Sequence, residues 1–483
     1  MIFLYLTLAI PIFGIFLLTL VGHMRFSGII NIILSATALI TSIFLGINFL
    51  SNPVLTSIQQ QFYIDAFNLL LIVLTTFITT TTAIFSFRYM QNNVALGRIT
   101  KNYLRLYHVM YQLFTFMILL ALSTNNIGVL WVAMEGSTLA TVLLVSLYRT
   151  PHAIEAAWKY FILCIVGIAL ALFGTILLYS SASQLFITNN SAILWAVLHK
   201  NAAILDTPII KLAFVFLLVG YGTKMGLVPL HNWLPDAYSE SPAPVSALLS
   251  GLLSNVALYA LIRFKIIVDL ALNTHLTGYL MMGFGMFSFM IAAILIHRQK
   301  NIKRLFSYSS IEHMGLITFG FGLGGALATF ASLFYMLIHS LIKSALFVNI
   351  GNIIQFNGIK NLEEIRGLMH SNPTIGWGLL IATLAICGFP PFGIFISEFL
   401  LFMATIKSFP WLTILLIFGL ITAFSGLLRT IQPIIYGEPN EKLNKDSNML
   451  PVILHLSLAL ILGIYLPPIL VQLLKQAAAV ISS

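Results

Sequence analysis

Apolar runs of roughly twenty residues, each closed by charged residues or by proline, glycine or asparagine, follow one another along the whole chain. A run of that length crosses the hydrocarbon core as a helix, whose backbone groups satisfy one another without water. Such runs lie near 2–20, 28–50, 65–88, 108–123, 126–147, 156–181 and 208–236, then near 243–263, 276–297, 304–324, 328–355, 374–407, 411–433 and 450–472. The pattern predicts an all-α polytopic membrane protein of about 14 transmembrane helices. The junctions at 123–126 and 324–328 are the least defined, because only a few polar or glycine residues separate the runs there. Charged residues make up 8% of the chain, against about a quarter in soluble domains, so most of it must lie in lipid.

The +10 net charge would suggest nucleic acid in a soluble protein. Here the basic residues sit in short loops between apolar runs, which is the ordinary topological signal. With the N-terminus outside, Arg25 and the cytoplasmic loops 88–107, 148–155, 297–304, 356–373 and 429–449 hold fifteen of the 24 Lys/Arg, including Lys303, Lys442 and Lys445. The outer side holds five, namely Lys200, Arg263, Lys265, Lys407 and Lys475. Both termini are thus expected outside. The opening MIFLYLTLAIPIFGIF lacks a basic n-region and a cleavage site, and reads as a retained first span. Cys164 and Cys387 each lie alone in an apolar run, so no cofactor is expected on this chain and redox chemistry is assigned to another subunit.

Two runs carry helix breakers. GYGTKMGLVPLHNWLPDAYSESPAP contains Pro229 and Pro235, and ICGFPPFGIFISEF contains Gly388, Pro390, Pro391 and Gly393. Proline removes a donor and clashes with the preceding turn, so spans seven and twelve should unwind near Thr223–Pro229 and Gly388–Pro391. Unwound backbone is tolerated in a membrane only where it lines a protein-enclosed cavity. The breaks are five spans apart, and an odd shift reverses direction, which predicts two inverted five-helix repeats. The expected divisions are 1–107 for an N-terminal three-helix segment, 108–266 and 276–433 for the repeats, and 450–483 for a last helix and tail.

Titratable groups inside these runs are expensive, costing from ~2.5 to over 10 kcal/mol at mid-bilayer. Glu135, Lys159, Lys224, His313, His339, Lys343 and Glu398 are the candidates for proton transfer. His339 and Lys343 share a helix face, while Lys224 and Glu398 adjoin the breaks. A Glu135–Lys224 pair could weld two helices, His339 could donate to a carbonyl, and Lys159 and Lys211 could snorkel from span ends. Spread over both repeats, however, such groups match the carboxylate, lysine and histidine chains of proton relays. Burial disfavours an ammonium and a nearby carboxylate favours it, so the pair can bind and release a proton as the two move.

GYGTKMGLVPLHNWLPDAYSESPAPVSALLSGLL, MEGSTLATVLLVSLYRTPHAIEAAWKYFILCIVG, HSLIKSALF and GFPPFGIFISEF resemble the antiporter-like subunits shared by respiratory complex I, Mrp-type cation/proton antiporters and membrane-bound hydrogenases. The similarity runs from about residue 60 to 435 and is strongest to the hydrogenase-4 component F branch. It implies a fourteen-helix subunit of a bacterial plasma membrane, non-catalytic itself. Implied partners are other membrane subunits and a soluble redox arm with iron–sulfur or nickel–iron centres. It also implies that Glu135, Lys159 and Lys224 serve the first half-channel, and Lys343 and Glu398 the second. Relatives carry lysine or histidine in span eight, where this chain has Ser250, Ser254 and Asn255, and a histidine where it has Tyr335. The other functions compatible with the sequence are an Mrp-type Na⁺/H⁺ antiporter subunit without a redox partner and a transport-silent scaffold.

Overall fold

The computed structural model describes residues 1–52, 54–183, 190–438 and 448–482. Helices α1 (Ile2–Val21), α2 (Ser27–Ser51) and α3 (Ala66–Ala95) come first, with a two-stranded hairpin, β1 (Leu55–Thr56) and β2 (Tyr63–Ile64), between α2 and α3. Asp65 starts α3 through a capping box with Asn68, which satisfies backbone donors that the helix end leaves free. Then come α4 (Lys101–Ser123), α5 (Ile127–Val145), α6 (Pro151–Ser183), the short α7 (Trp195–Lys200), α8 (Thr207–Met225) and α9 (Trp233–Glu240). Next, α10 (Ala243–Leu248) and α11 (Ser254–Leu272) are joined by one π-helical turn, Leu249–Leu253. The remainder is α12 (Leu276–Ile296), α13 (Ile302–Leu323), α14 (Gly325–Asn357), the one-turn α15 (Leu368–Ser371), α16 (Pro373–Ile386), α17 (Gly393–Ser408), α18 (Pro410–Tyr436), α19 (Leu450–Ile464) and α20 (Pro468–Ser482).

Among the described residues, eleven helices are long and apolar enough to cross a membrane, α10 and α11 counting as one. The bent pair α19 and α20 would make twelve. Three of the expected fourteen spans depart from that standard for identifiable reasons. The 22-residue α13 carries Lys303, Arg304 and Glu312. The expected span 374–407 is divided into α16 and α17, each too short alone. The expected single helix 450–472 bends by 82° between α19 and α20, where Pro467 and Pro468 stand.

Helix α10–α11 is wholly enclosed, and α13, α14 and α3 are also mostly buried, so these form the axis around which the others pack. Close approach in the second half uses glycine. A Cβ on Gly285 of α12 would stand 2.6 Å from the carbonyl oxygen of Gly315 on α13, a separation that only a residue without a side chain allows. Two basic residues expected in an outer loop, Arg263 and Lys265, lie buried in α11 instead. The helix continues about two and a half turns beyond position 263, to Leu272, and Arg263 is stabilised there by a bidentate pair with Asp65 at 2.7 and 2.8 Å. Lys303, expected in a cytoplasmic loop, is likewise buried, donating to Ser241 O at 2.5 Å. Lys442 and Lys445 lie outside the described residues.

Candidate functional site

The first break begins slightly later than expected. Helix α8 continues through Thr223 and Lys224 and stops at Gly226, whose φ of +83° is a left-handed conformation open to glycine at little strain. The chain then runs irregularly past Pro229 until α9 starts at Trp233, whose indole Nε1 donates to Thr223 O at 2.8 Å and ties the two halves together. This places Lys224 in the last turn of α8 at 1% exposure. Its Nζ donates to Met134 O at 2.5 Å and to Thr138 Oγ1, both on α5. Thr138 Oγ1 in turn lies 3.4 Å from Glu135 Oε2. The expected Glu135–Lys224 contact is therefore bridged by a hydroxyl, and among the described residues Lys224 has no ion-pair partner. Glu135 itself is half-buried.

Lys159 does not join this buried group. It stands on the exposed face of α6, paired with Glu155 one turn earlier at 2.7 Å and with Asp236 of α9 at 3.3 Å. Asp236 also pairs with Arg304 of α13. Lys159 follows Trp158 near the start of α6, an arrangement that suits a snorkelling lysine.

The second break falls where expected. Helix α16 ends at Ile386, Gly388 has φ +70°, and α17 begins at Gly393. Glu398, on the second turn of α17, turns its carboxylate onto the unwound backbone. A Cβ on Gly388 would lie 2.2 Å from Glu398 Oε2. The other oxygen, Oε1, accepts from the Tyr335 hydroxyl at 2.8 Å, and that hydroxyl is 2.7 Å from His313 Nδ1. His313 Nε2 is 3.3 Å from Glu312 Oε2. The His339 ring lies 5.5 Å from that of His313, and neither of its nitrogens has a hydrogen-bond partner among the described residues. A polar, fully buried position of this kind suits an enclosed water. Lys343, one turn further along α14, donates to Phe306 O at 3.0 Å.

Polar side chains occupy the ground between these groups. Ser250 and Ser310 are 3.0 Å apart, Asn255 donates to Ser340 Oγ at 2.5 Å, and Ser340 donates to Gly251 O at 2.7 Å. Tyr238 and Ser254 are 3.3 Å apart. Thus the span-eight positions that lack a lysine or histidine present hydroxyls to α13 and α9 and an amide to α14. Sequence reasoning overlooked Glu312, Thr138 and Asp236, and took Tyr335 as a possible interruption when it links His313 to Glu398. Glu312 was legible as a mid-span carboxylate; the linking roles of Thr138 and Tyr335 depend on contacts between helices that spacing does not show. Among the described residues, no group of three or more His, Cys, Asp or Glu side chains is placed to hold a metal.

Residues 124–425 match the family model described as NADH:quinone oxidoreductase/Mrp antiporter, transmembrane. The chain belongs to this family. It is 44% identical to the hydrogenase-4 component F homolog of Methylacidiphilum infernorum across 98% of each chain. It is 28% identical to NADH-quinone oxidoreductase subunit N of Desulforudis audaxviator, over 74% of this chain and 73% of that one. The fold matches a chain of the membrane-bound sulfane sulfur reductase, an archaeal respiratory membrane complex, with TM-score 0.89 and 22% identity over 99% and 97% of the two chains. It also matches a chain of the Mrp complex from Dietzia sp. with TM-score 0.86 and 20% identity over the same shares. The chain is thus an antiporter-like, multi-pass membrane subunit.

Proposed function

We propose that this chain carries protons across the bilayer as the antiporter-like subunit of a hydrogenase-4-like or complex I-like oxidoreductase. Redox chemistry on partner subunits drives it. The observation that carries the reading is Lys224, a buried ammonium beside a helix break, joined to Glu135 through the Thr138 hydroxyl. A charge in hydrocarbon costs ~2.5 kcal/mol or more, and here no carboxylate pairs with it directly among the described residues. Such a group is poorly suited to welding helices and well suited to gaining and losing a proton as Glu135 moves. His313, His339, Lys343 and Glu398 form the second half of the route, and Lys159 stands outside it, on the exposed face of α6.

Three further elements belong to this reading. Residues 108–266 and 276–433 act as inverted halves, each with its own broken helix. Fourteen crossings result when α13, the α16–α17 pair and the α19–α20 pair each count as one. Both termini lie on the outer side of a bacterial inner membrane, on the strength of the basic-residue bias. The name of the 44% identical relative supports partner membrane subunits and a soluble arm holding nickel–iron or iron–sulfur centres, none of them on this chain. The test is to isolate the complex through a tag on this chain and identify its subunits. An iron–sulfur or nickel–iron subunit is expected. Only Mrp-type antiporter subunits in the complex would replace the redox reading with Na⁺/H⁺ exchange.

A further inference from the structure

Helix α13 holds a titratable group that the route above leaves unused. Glu312 is 1% exposed at the middle of the helix, with Oε2 3.3 Å from His313 Nε2. We infer that Glu312 is the proton-loading carboxylate of the second half of the chain, and that it delivers protons to Glu398 through His313 and Tyr335. The inference rests on the proton-transport reading and deepens it.

The hydrogen bonds are consistent with one direction of transfer, from Glu312 to an ionised Glu398. A phenol has one proton, and Tyr335 donates it to Glu398 Oε1. Towards His313 the Tyr335 oxygen must therefore accept, which puts a proton on Nδ1. His313 Nε2 lies 3.3 Å from Glu312 Oε2 without an aligned hydrogen bond and has no other partner among the described residues, so a small rotation of either side chain closes a bond between them. The proton of that bond sits either on Glu312, with a neutral imidazole, or on Nε2, with a carboxylate. With Glu398 ionised and Glu312 protonated, one movable proton stands at the Glu312 end and an acceptor at the Glu398 end, which is the state from which transfer starts.

Transfer follows with its atoms balanced. The O–H bond of Glu312 breaks as the Nε2–H bond of His313 forms. The Nδ1–H bond breaks as a new O–H forms on Tyr335, and the original Tyr335 O–H passes to Glu398. Glu312 becomes the carboxylate and Glu398 the acid, while His313 has exchanged one tautomer for the other. Lys343 is within electrostatic reach of Glu312 and supplies the next proton through water beside the unpartnered nitrogens of His339.

Pseudo-symmetry points the same way. Helices α5 and α13 are corresponding spans if the halves are inverted copies. Glu135 is the ninth residue of the 19 in α5, and Glu312 the eleventh of the 22 in α13. The broken spans correspond too, so each half sets one mid-helix glutamate against a titratable group beside its break, Glu135 against Lys224 and Glu312 against Glu398.

The test uses the intact complex in membrane vesicles, energised by its own electron donor, with proton uptake measured beside subunit content. Glu312→Gln and Tyr335→Phe should each lower uptake by roughly a hundredfold, with the subunits retained and uptake partly recovered in Glu312→Asp. Infrared difference spectra of the working complex should lose a carboxylic-acid carbonyl band in Glu312→Gln, a change that a purely packing role would not produce. Normal uptake in Glu312→Gln or Tyr335→Phe, with Lys224→Met inactive, would overturn the relay and leave the transport reading standing. Normal uptake in all three variants would overturn both. If Glu312→Gln fails to assemble, Tyr335→Phe decides alone, because it removes one hydroxyl and keeps the ring.

Discussion

Replacing Lys224 by methionine separates transport from architecture. The substitution keeps the unbranched stem and removes one buried ammonium. It forfeits the hydrogen bonds to Met134 O and Thr138 Oγ1, worth ~1.5–3 kcal/mol each for a charged donor. Against that loss stands relief from burying an ion, which costs several kcal/mol. Neither acceptor is stranded as a charge, since one is a helix carbonyl and the other a hydroxyl that keeps Glu135 within reach. The two contributions nearly cancel, and stability should change by no more than ~2 kcal/mol. Transport behaves otherwise, because no neighbouring group on α8 can take the proton. Uptake should fall by about a hundredfold or more, equivalent to ~2.7 kcal/mol of barrier. The assay is dye-reported proton uptake in vesicles alongside a native gel of the complex. Normal uptake in an assembled complex would refute the role given to Lys224. A complex that falls apart would show that the lysine is a structural tie after all.

The buried Arg263–Asp65 pair provides the contrast. Arg263→Met leaves a buried carboxylate with only its own helix cap, Phe67 N and Asn68 N, and should destabilise the subunit by ~3–5 kcal/mol, read as early thermal aggregation in detergent. Gly388→Ala forces an alanine to φ +70° and drives its Cβ into Glu398 Oε2. Uptake should fall, with no further loss when Glu398→Gln is added, because both changes detach the same carboxylate from Tyr335. Lys159→Ala removes only surface ion pairs and should leave both assembly and uptake near wild type; a severe loss of uptake would return Lys159 to the proton route.

The helical spans and their breaks were legible because lipid imposes length and apolarity, and because proline and glycine have few backbone options. Lys224, Lys343 and Glu398 were legible for the complementary reason, as costly groups that must be compensated. What was hidden is the identity of the compensating partner. Nothing in the spacing of Glu135 and Lys224, which lie on different helices, announces Thr138 between them. A tyrosine in an apolar run also looks like packing until its hydroxyl is placed between a histidine and a glutamate. Arg263 was misplaced because charge was taken to end a span, whereas a bidentate partner from the α3 cap lets the helix continue past it.

The same tension explains why α13 resisted counting. It is long enough to cross the bilayer, yet Lys303, Arg304 and Glu312 place it outside the composition of an ordinary span. Each of these charges meets something specific. Lys303 donates to carbonyls at the end of α9, Arg304 pairs with Asp236 of α9, and Glu312 stands beside His313. A helix exposed to lipid could not carry them, since none would find a partner there. Its enclosure between α12, α14 and α9 makes them tolerable. The features that make α13 a poor span by composition therefore join the half-helix beyond the Lys224 break to the titratable cluster beside the Glu398 break. Movement of α9 would shift Asp236 against Arg304 on the helix that carries Glu312 and His313. The two proposed half-channels thus share a rigid mechanical element as well as a polar seam.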